Sequence, residues 1–395
     1  MGVAEWVRDW GRLWVLSSAS ALRGIRDNLR TVVWQPFALS IGLDMQQVGS
    51  LESLTDLIKL LFEPAFGVMS DAWGRKRLLI LREMVALGAL LLMLSARSWH
   101  YLFLAMLLIG VSNSLVSVWS SLVAESAPAG RLGFVYSVMG AFYTGAGLIG
   151  TLGAGYIADT YGYGSVYTVA AGIAFVSLAL VWLKLPETRS EAPAKVNWRN
   201  TLTSYIRALN PQRELRGFYV AMGLDLLGFG MGVRLLSGML NAGYGYTPWM
   251  IALYTTAMTL IQTVAQMPLG RLADRFGYGR FMAISQFTAC AMMGMMILSK
   301  DLWVVVAAHL LLGVANAFWM PAEQAWIAAN VDPKQRAQAL GSFSTFRGLL
   351  GLPAPIIGGI LFDAYGFDVP MLIGLSIIFI DGVAILAWVK DKPQQ

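Results

Sequence analysis

A polar turn, Gly67-Val-Met-Ser-Asp71-Ala-Trp-Gly74-Arg75-Lys76-Arg77, returns later in the chain as Gly270-Arg-Leu-Ala-Asp274-Arg-Phe-Gly277-Tyr-Gly-Arg280. Both glycines, the aspartate and the last arginine are identical, and each copy keeps an aromatic before the second glycine and a small residue before the aspartate. Each copy is wedged between two long apolar runs. A second echo keeps the register: Gly155-Tyr-Ile-Ala-Asp159-Thr-Tyr161-Gly162-Tyr recurs as Gly359-Ile-Leu-Phe-Asp363-Ala-Tyr365-Gly366-Phe. Polar turns duplicated between apolar runs restrict the chain to two homologous halves embedded in a membrane.

Composition agrees. Of the 395 residues, 57% are apolar and 13% charged, where soluble domains carry roughly 25% charged residues. About 20 apolar residues cross the hydrocarbon core as a helix. Twelve such runs are read as spans 1 to 12: 13–41, 47–70, 78–96, 99–123, 132–158, 165–184, 216–241, 247–269, 281–299, 302–327, 338–362 and 369–390. The expected fold is an all-α integral membrane protein of twelve transmembrane helices in two pseudo-symmetric six-helix bundles. The bundles are 1–184 and 216–395, joined by a cytoplasmic linker over 185–215. An even number of spans inserts both copies in one orientation, related by an axis along the membrane normal.

The net charge of +6 has a membrane explanation. With the N-terminus inside, Arg8, Arg12, Arg75, Lys76, Arg77, Arg131, the seven basic residues from Lys184 to Arg216, Arg271, Arg275, Arg280, Lys334, Arg336, Lys390 and Lys392 are cytoplasmic. Only Arg97 and Lys300 fall outside. This asymmetry places both termini in the cytoplasm and removes any need for a nucleic-acid partner. Asp9, Arg12 and Arg23 interrupt the first apolar stretch, so no cleavable signal is read there. One cysteine, Cys290, and two histidines leave no ligand set for a metal, and Cys290 is read as packing. With no nucleophile–base pair and no phosphate-binding glycine loop, neither an enzyme nor an ATP-driven pump is expected, and no cofactor is implied.

The glycine–aspartate–glycine–arginine turn after span 2, repeated after span 8, resembles the signature of the major facilitator superfamily, and the resemblance extends over the whole chain. It implies a secondary transporter whose two halves rock around a central site. The chain departs from the pattern at Ala72, where the family usually has arginine, and at Tyr278-Gly279. Span 4 has no arginine in Met106-Leu-Leu-Ile-Gly110, and span 5 runs Gly145-Ala-Gly147-Leu-Ile-Gly150 without the proline of drug exporters. The nearest glycine–proline element is Ala354-Pro355-Ile-Ile-Gly358-Gly359 in span 11. Gly67, Asp71, Gly74, Arg75, Arg77, Asp274, Arg275, Gly277 and Arg280 are read as a cytoplasmic gate, in which a carboxylate facing a helix N-terminus contributes ~0.3–1 kcal/mol. The alternative is a turn that only fixes topology.

Spans 1 and 2 carry the unusual chemistry. Arg23, Arg26, Asp27 and Arg30 share one helical face, as do Glu52, Asp56, Lys59 and Glu63. A charge at the bilayer centre costs ~2.5–3.5 kcal/mol, so eight unpaired ones would cost on the order of 20 kcal/mol. Folding span 2 back on span 1 predicts the pairs Arg26–Glu63 and Arg30–Asp56, with Asp27 near Lys59. The two faces balance in charge, which suits proton coupling or gating better than a fixed anion site.

In the second half, Asp225 and Arg347 lie at similar depth and are expected to pair. Arg234 sits in span 7, and His309, Asn316 and Glu323 make a stripe on span 10. His309 is read as structural, and Gln262 and Gln266 form a polar pair on span 8. Asp381 in span 12 has no evident role. Trp34, Trp119, Tyr143, Tyr254 and Trp319 are candidates for a cavity wall.

The expected function is proton-coupled, alternating-access export of an amphiphilic small molecule by a monomer in the lipid bilayer. The coupling acids are Asp27 first, then Glu63 and Asp56, with Asp225 and Glu323 in the second half. The substrate-binding set is Arg23, Arg26, Arg30, Lys59, Arg234, Gln262, Gln266, Asn316 and Arg347. The alternatives are an importer or exchanger of an anionic metabolite, with the arginines as ligands, and a non-transporting receptor or scaffold.

Overall fold

A computed structural model of the chain describes residues 3–127, 131–185, 187, 215–330 and 336–389. Apart from 185, 187 and 215, the expected linker lies outside the described residues. The side chains of Asp71 and Asp274 also lie outside the description.

In hydrocarbon each backbone N–H and C=O must be satisfied within its own segment, which dictates helices. Span 1 is α1 (Val3–Ser40), span 2 α2 (Met45–Trp73) and span 3 α3 (Arg75–Leu94). Span 4 is α4 (Trp99–Ser114) with α5 (Val116–Ser126), span 5 is α6 (Leu132–Tyr161) and span 6 α7 (Tyr163–Lys184). Span 7 is α8 (Arg216–Met231), a 3-10 turn over Val233–Leu235, and α9 (Leu236–Tyr244). Spans 8, 9 and 10 are α10 (Pro248–Phe276), α11 (Tyr278–Leu298) and α12 (Leu302–Asn330). Span 11 is α13 (Arg336–Gly351) with α14 (Pro353–Tyr365), and span 12 is α15 (Asp368–Trp388). The break in span 11 falls at Pro353, which opens α14 because its fixed φ and missing N–H suit a first helical turn.

Among the described residues, eight of these spans are apolar enough over 18 residues to cross a membrane by length and composition. The remaining four are spans 1, 2, 3 and 8. Spans 1 to 3 hold buried or half-buried charges, and span 8 a run of threonine and glutamine, so these four depend on other protein helices for their polar groups.

Contacts divide the chain into two compact units, residues 1–43 with 54–201, and residues 44–53 with 202–395. Within the first, α1 packs on α6 and α7, and α3 on α4 and α7. Within the second, α8 packs on α14 and α15, and α11 on α12 and α15. Offset by six spans, these are the same four pairings, so the internal repeat extends from turns to packing. Glycines set the closest crossings. A Cβ on Gly24 or Gly150 would meet the backbone carbonyl of Tyr143 or Ile25, joining α1 to α6. A Cβ on Gly358 would meet the Met231 carbonyl, joining α14 to α8.

Residues 44–53 belong by contact to the second unit. The Asp363 carboxylate accepts from the Met45 and Gln46 amides (3.2 and 2.7 Å), capping the N-terminus of α2. Ser53 Oγ donates to the Leu352 carbonyl at 2.6 Å. The aspartate of the second echo is thus a helix cap in one copy, while Asp159 in the other is exposed.

The repeated glycines have a conformational cause. Gly74 and Gly277, which end α2 and α10, have φ of +96° and +99°, and Gly162 and Gly366 have +81° and +77°. Gly67 is helical, with open space where a Cβ would stand. Gly277→Ala is therefore expected to cost ~1–3 kcal/mol, while Gly67→Ala is neutral or slightly stabilising. Thermal unfolding of the detergent-purified variants checks this, and equal losses at both positions would contradict it.

Candidate functional site

In the first unit, helical spacing puts Arg23, Arg26, Asp27 and Arg30 on one face of α1, and that face meets Arg82 and Glu83 of α3. Arg26 is buried and ion-paired on two sides. Its Nη1 bonds Glu83 Oε2, and its Nε and Nη2 lie 3.0 and 2.9 Å from Asp27 Oδ1. Tyr143 of α6 donates to Asp27 Oδ2 at 3.4 Å. The Arg23 guanidinium lies against the rings of Trp119 and Tyr143 (5.2 and 5.4 Å), a cation–π arrangement. Arg82 is 2% exposed, and its Nε and Nη1, like Arg23 Nε, have no hydrogen-bond partner. A small void of about 20 Å³ touches Arg26, Asp27 and Arg30.

This arrangement corrects the expected pairing. Arg26 meets Glu83 and Asp27, not Glu63, and Asp27 is held by Arg26 and Tyr143, not Lys59, which is exposed. Arg30 Nη2 reaches Thr31 Oγ1 at 3.4 Å. The physical reason is that α1 crosses tightly on α6, which turns its charged face to α3 rather than to its sequence neighbour. The balance changes too: four guanidinium groups now accompany two carboxylates. From α2, Glu52 pairs with Arg234 at 3.0 Å inside the second unit. Asp56 and Glu63 are half-buried farther along.

In the second unit, five of the expected coupling and binding residues line one cavity of about 430 Å³: Asp225, Arg234, Asn316, Glu323 and Arg347. Phe229, Trp319, Ser285 and Gln286 complete much of its wall. Arg347 Nη1 pairs with Glu323 Oε1 at 2.8 Å, and Trp319 Nε1 donates to Glu323 Oε2 at 2.6 Å. The expected Asp225–Arg347 pair is thereby replaced, because Glu323 on α12 takes the arginine. Asp225 Oδ1 instead accepts from Gln286 Nε2 at 2.8 Å, and the same nitrogen donates to Asp381 Oδ2 at 2.6 Å. Gln262 and Gln266 on α10 do not line this cavity. His309 is buried, with Nδ1 2.8 Å from the Val305 carbonyl and its ring 4.1 Å from that of Tyr254. Cys290 Sγ lies 3.7 Å from the Leu375 carbonyl of α15. Among the described residues no group of His, Cys, Asp and Glu is arranged to hold a metal ion.

At the repeated turns, Arg75 forms a two-point pair with Glu125 of α5 (2.7 and 2.6 Å) and donates to Ser70 Oγ at 3.1 Å. The Lys76 amide donates to Glu187 at 3.3 Å, an anion at the N-terminus of α3. In the second copy Arg275 and Arg280 are exposed, with Arg275 lying over Phe276 at 6.0 Å. Arg77 is exposed as well. Sequence reasoning missed Arg82, Glu83, Glu125 and Gln286. Adjacent charges inside span 3 were a visible signal for the first two. Nothing in the sequence marked the others.

A family model described as "Major Facilitator Superfamily" matches residues 16–247 and 217–395. The chain belongs to the Major Facilitator Superfamily. Among curated proteins it is similar to "Multidrug resistance protein MdtG" of Proteus mirabilis (strain HI4320), 23% identical over 380 residues, or 94% of this chain and 89% of that protein. The protein of the same name from Dickeya zeae (strain Ech586) is 24% identical over 350 residues, or 87% and 84%. Among solved structures, the crystal structure of the nucleoside transporter NupG matches with a TM-score of 0.78 at 13% identity, over 96% of this chain and 99% of that one. This member of the superfamily is a multi-pass membrane transporter and not an enzyme, which sets aside the receptor or scaffold reading.

Removing one partner of a buried pair costs ~3–5 kcal/mol. Glu83→Ala is expected near the lower figure, because Asp27 still faces Arg26, whereas Glu63→Ala stays within ~1 kcal/mol. The exchange Arg26→Glu with Glu83→Arg should recover part of the loss in a thermal melt. If the exchange is worse than either single variant, the pair does not govern stability.

Proposed function

We propose that the chain is a proton-coupled exporter of amphiphilic small molecules that works by alternating access of the halves 1–184 and 216–395. The observation that carries this reading is Asp225, an acid on the wall of the second unit's cavity that has no ion-pair partner among the described residues. Its neighbours on that wall are aromatic, as at Phe229 and Trp319, or already paired, as at Arg347 with Glu323. Such a wall suits a greasy cargo with a polar end. The name of the MdtG relatives supports the substrate class, at 23–24% identity.

Asp225 becomes the first coupling acid in place of Asp27, because Asp27 is already committed to Arg26 and Tyr143. Asp56, Glu63 and Glu323 remain secondary acids, and Glu323 acts as a gate through Arg347. Arg234, Asn316 and Arg347 contact substrate. Both termini are cytoplasmic, and the Arg75–Glu125 pair steadies the inner gate of a monomer.

One observation favours a second reading, import or exchange of an anionic metabolite. The α1–α3 cluster has two more guanidinium groups than carboxylates, and Arg23 and Arg82 keep buried nitrogens without partners.

Proteoliposomes under an imposed pH gradient separate the two, with lipophilic cations and organic anions as probes. Gradient-driven movement of the cations is expected, lost in Asp225→Asn and retained in Asp27→Asn. Undiminished transport by Asp225→Asn would refute the coupling assignment, and movement of the anions alone would favour the second reading.

A further inference from the structure

We propose that Asp225, Gln286 and Asp381 form a proton-binding dyad, in which two carboxyl groups on different helices, bridged by one glutamine amide, together hold one proton. This deepens the proton-coupled reading by adding Gln286 and Asp381 to it, although the site itself stands on geometry alone.

The three residues come from three helices gathered around α15. Asp225 lies on α8, Gln286 on α11 and Asp381 on α15, and α15 packs against both of the others. Glycines bring these helices close: a Cβ on Gly374 would meet the Gly228 carbonyl, and one on Gly382 would meet Phe287 and Gln286. Gln286 and Asp381 are each 0% exposed, while Asp225 borders the cavity. Asp225 is therefore the member that exchanges a proton with the cavity, and Asp381 is the sealed member whose charge biases that exchange.

A single amide nitrogen serves both acids, at 2.8 and 2.6 Å. No arginine, lysine or histidine lies within ion-pair distance of either acid among the described residues. The other ionisable groups facing this corner are Glu323 of α12 and Arg347 of α13, which are paired with each other, and Cys290 of α11. A neutral amide supplies two N–H groups and no charge. Two carboxylates bridged by it in the membrane interior would be a doubly uncompensated site, which burial in low dielectric strongly disfavours.

The hydrogen-bond inventory points the same way. Asp381 Oδ1 and Gln286 Oε1 are both buried acceptors without a partner. Two orphaned acceptors in an otherwise satisfied corner call for a donor, and a proton on a carboxyl oxygen creates one. The Gln286 side chain keeps the two acids apart and holds both in place when the proton leaves. Asp381, which the sequence left without a role, becomes the second half of the proton site.

Infrared difference spectra of the purified, detergent-solubilised protein over a pH titration test this directly. The expected signal is the carbonyl stretch of a protonated carboxylic acid, displaced in D2O, present in the wild type and in Glu323→Gln. It should be lost in both Asp225→Asn and Asp381→Asn, and displaced in Gln286→Leu. Absence of the band from the wild type, or its survival in both aspartate variants, overturns the proposal. Should Asp381→Asn fail to fold, the Asp225→Asn spectrum decides alone by the same rule. A band that behaves as expected in a protein with no gradient-driven transport would leave the dyad standing and remove the coupled-transport reading. Gradient-driven transport without the band would do the reverse.

Discussion

Charge in hydrocarbon is the constraint on which the rest of this protein depends. Each ionised group within the spans costs several kcal/mol unless another helix answers it, and the packing is arranged so that helices do answer. Arg26 takes Glu83 from α3, Arg347 takes Glu323 from α12, and Glu52 takes Arg234. The spans that fail a plain apolar criterion are three that carry such charges and one rich in threonine and glutamine. Chemistry is found in both kinds of span: poorly apolar spans 1 and 3 hold the α1–α3 cluster, and apolar spans 7, 9 and 12 hold Asp225, Gln286 and Asp381.

Close approach is what makes those pairings possible. Gly24, Gly147 and Gly150 remove the side chains between α1 and α6, and the resulting crossing sets the rotation of α1. That rotation aims Arg26 at α3. In the second unit Gly228, Gly230, Gly358 and Gly374 do the same for α8, and Asp225 is presented to α11 and α15 as a consequence. The glycine run of span 5, read at first as a departure from a proline-containing motif, is better understood as the seat of this crossing.

These observations separate what was legible in the amino-acid sequence from what was not. The helical fold, the repeat, the polar turns and the placement of Asp225, Arg234, Asn316, Glu323 and Arg347 around one cavity all follow from hydropathy, duplication and buried polarity. Those signals are local or periodic. Ion-pair partners are neither. The expectation that Arg26 meets Glu63 assumed that sequence neighbours are spatial neighbours, and the α1–α6 crossing breaks that assumption. Likewise Asp225 and Arg347 do lie on one cavity, yet depth along a helix says nothing about which acid the arginine turns to. Gln286 was invisible because an uncharged glutamine in an apolar span has no distinguishing pattern until two carboxyl groups are found on either side of it.

The two units, taken each by itself, have opposite characters. The α1–α3 cluster has more guanidinium than carboxylate, with Arg23 stacked on aromatic rings and Arg82 incompletely bonded. In the second unit each arginine of the cavity is matched by a glutamate, and two aspartates remain over. A guanidinium does not release its proton in the range where proteins work, so a cationic cluster is suited to fixing a geometry or an anionic group. A surplus carboxyl buried beside a cavity has a different option, since it becomes neutral by taking up one proton and regains its charge by losing it. Among the described residues, the second unit has two such groups, Asp225 and Asp381, bridged by one amide and without arginine partners. The proposed proton coupling accordingly rests on the second unit, while the Arg26–Glu83 pair ties α1 to α3.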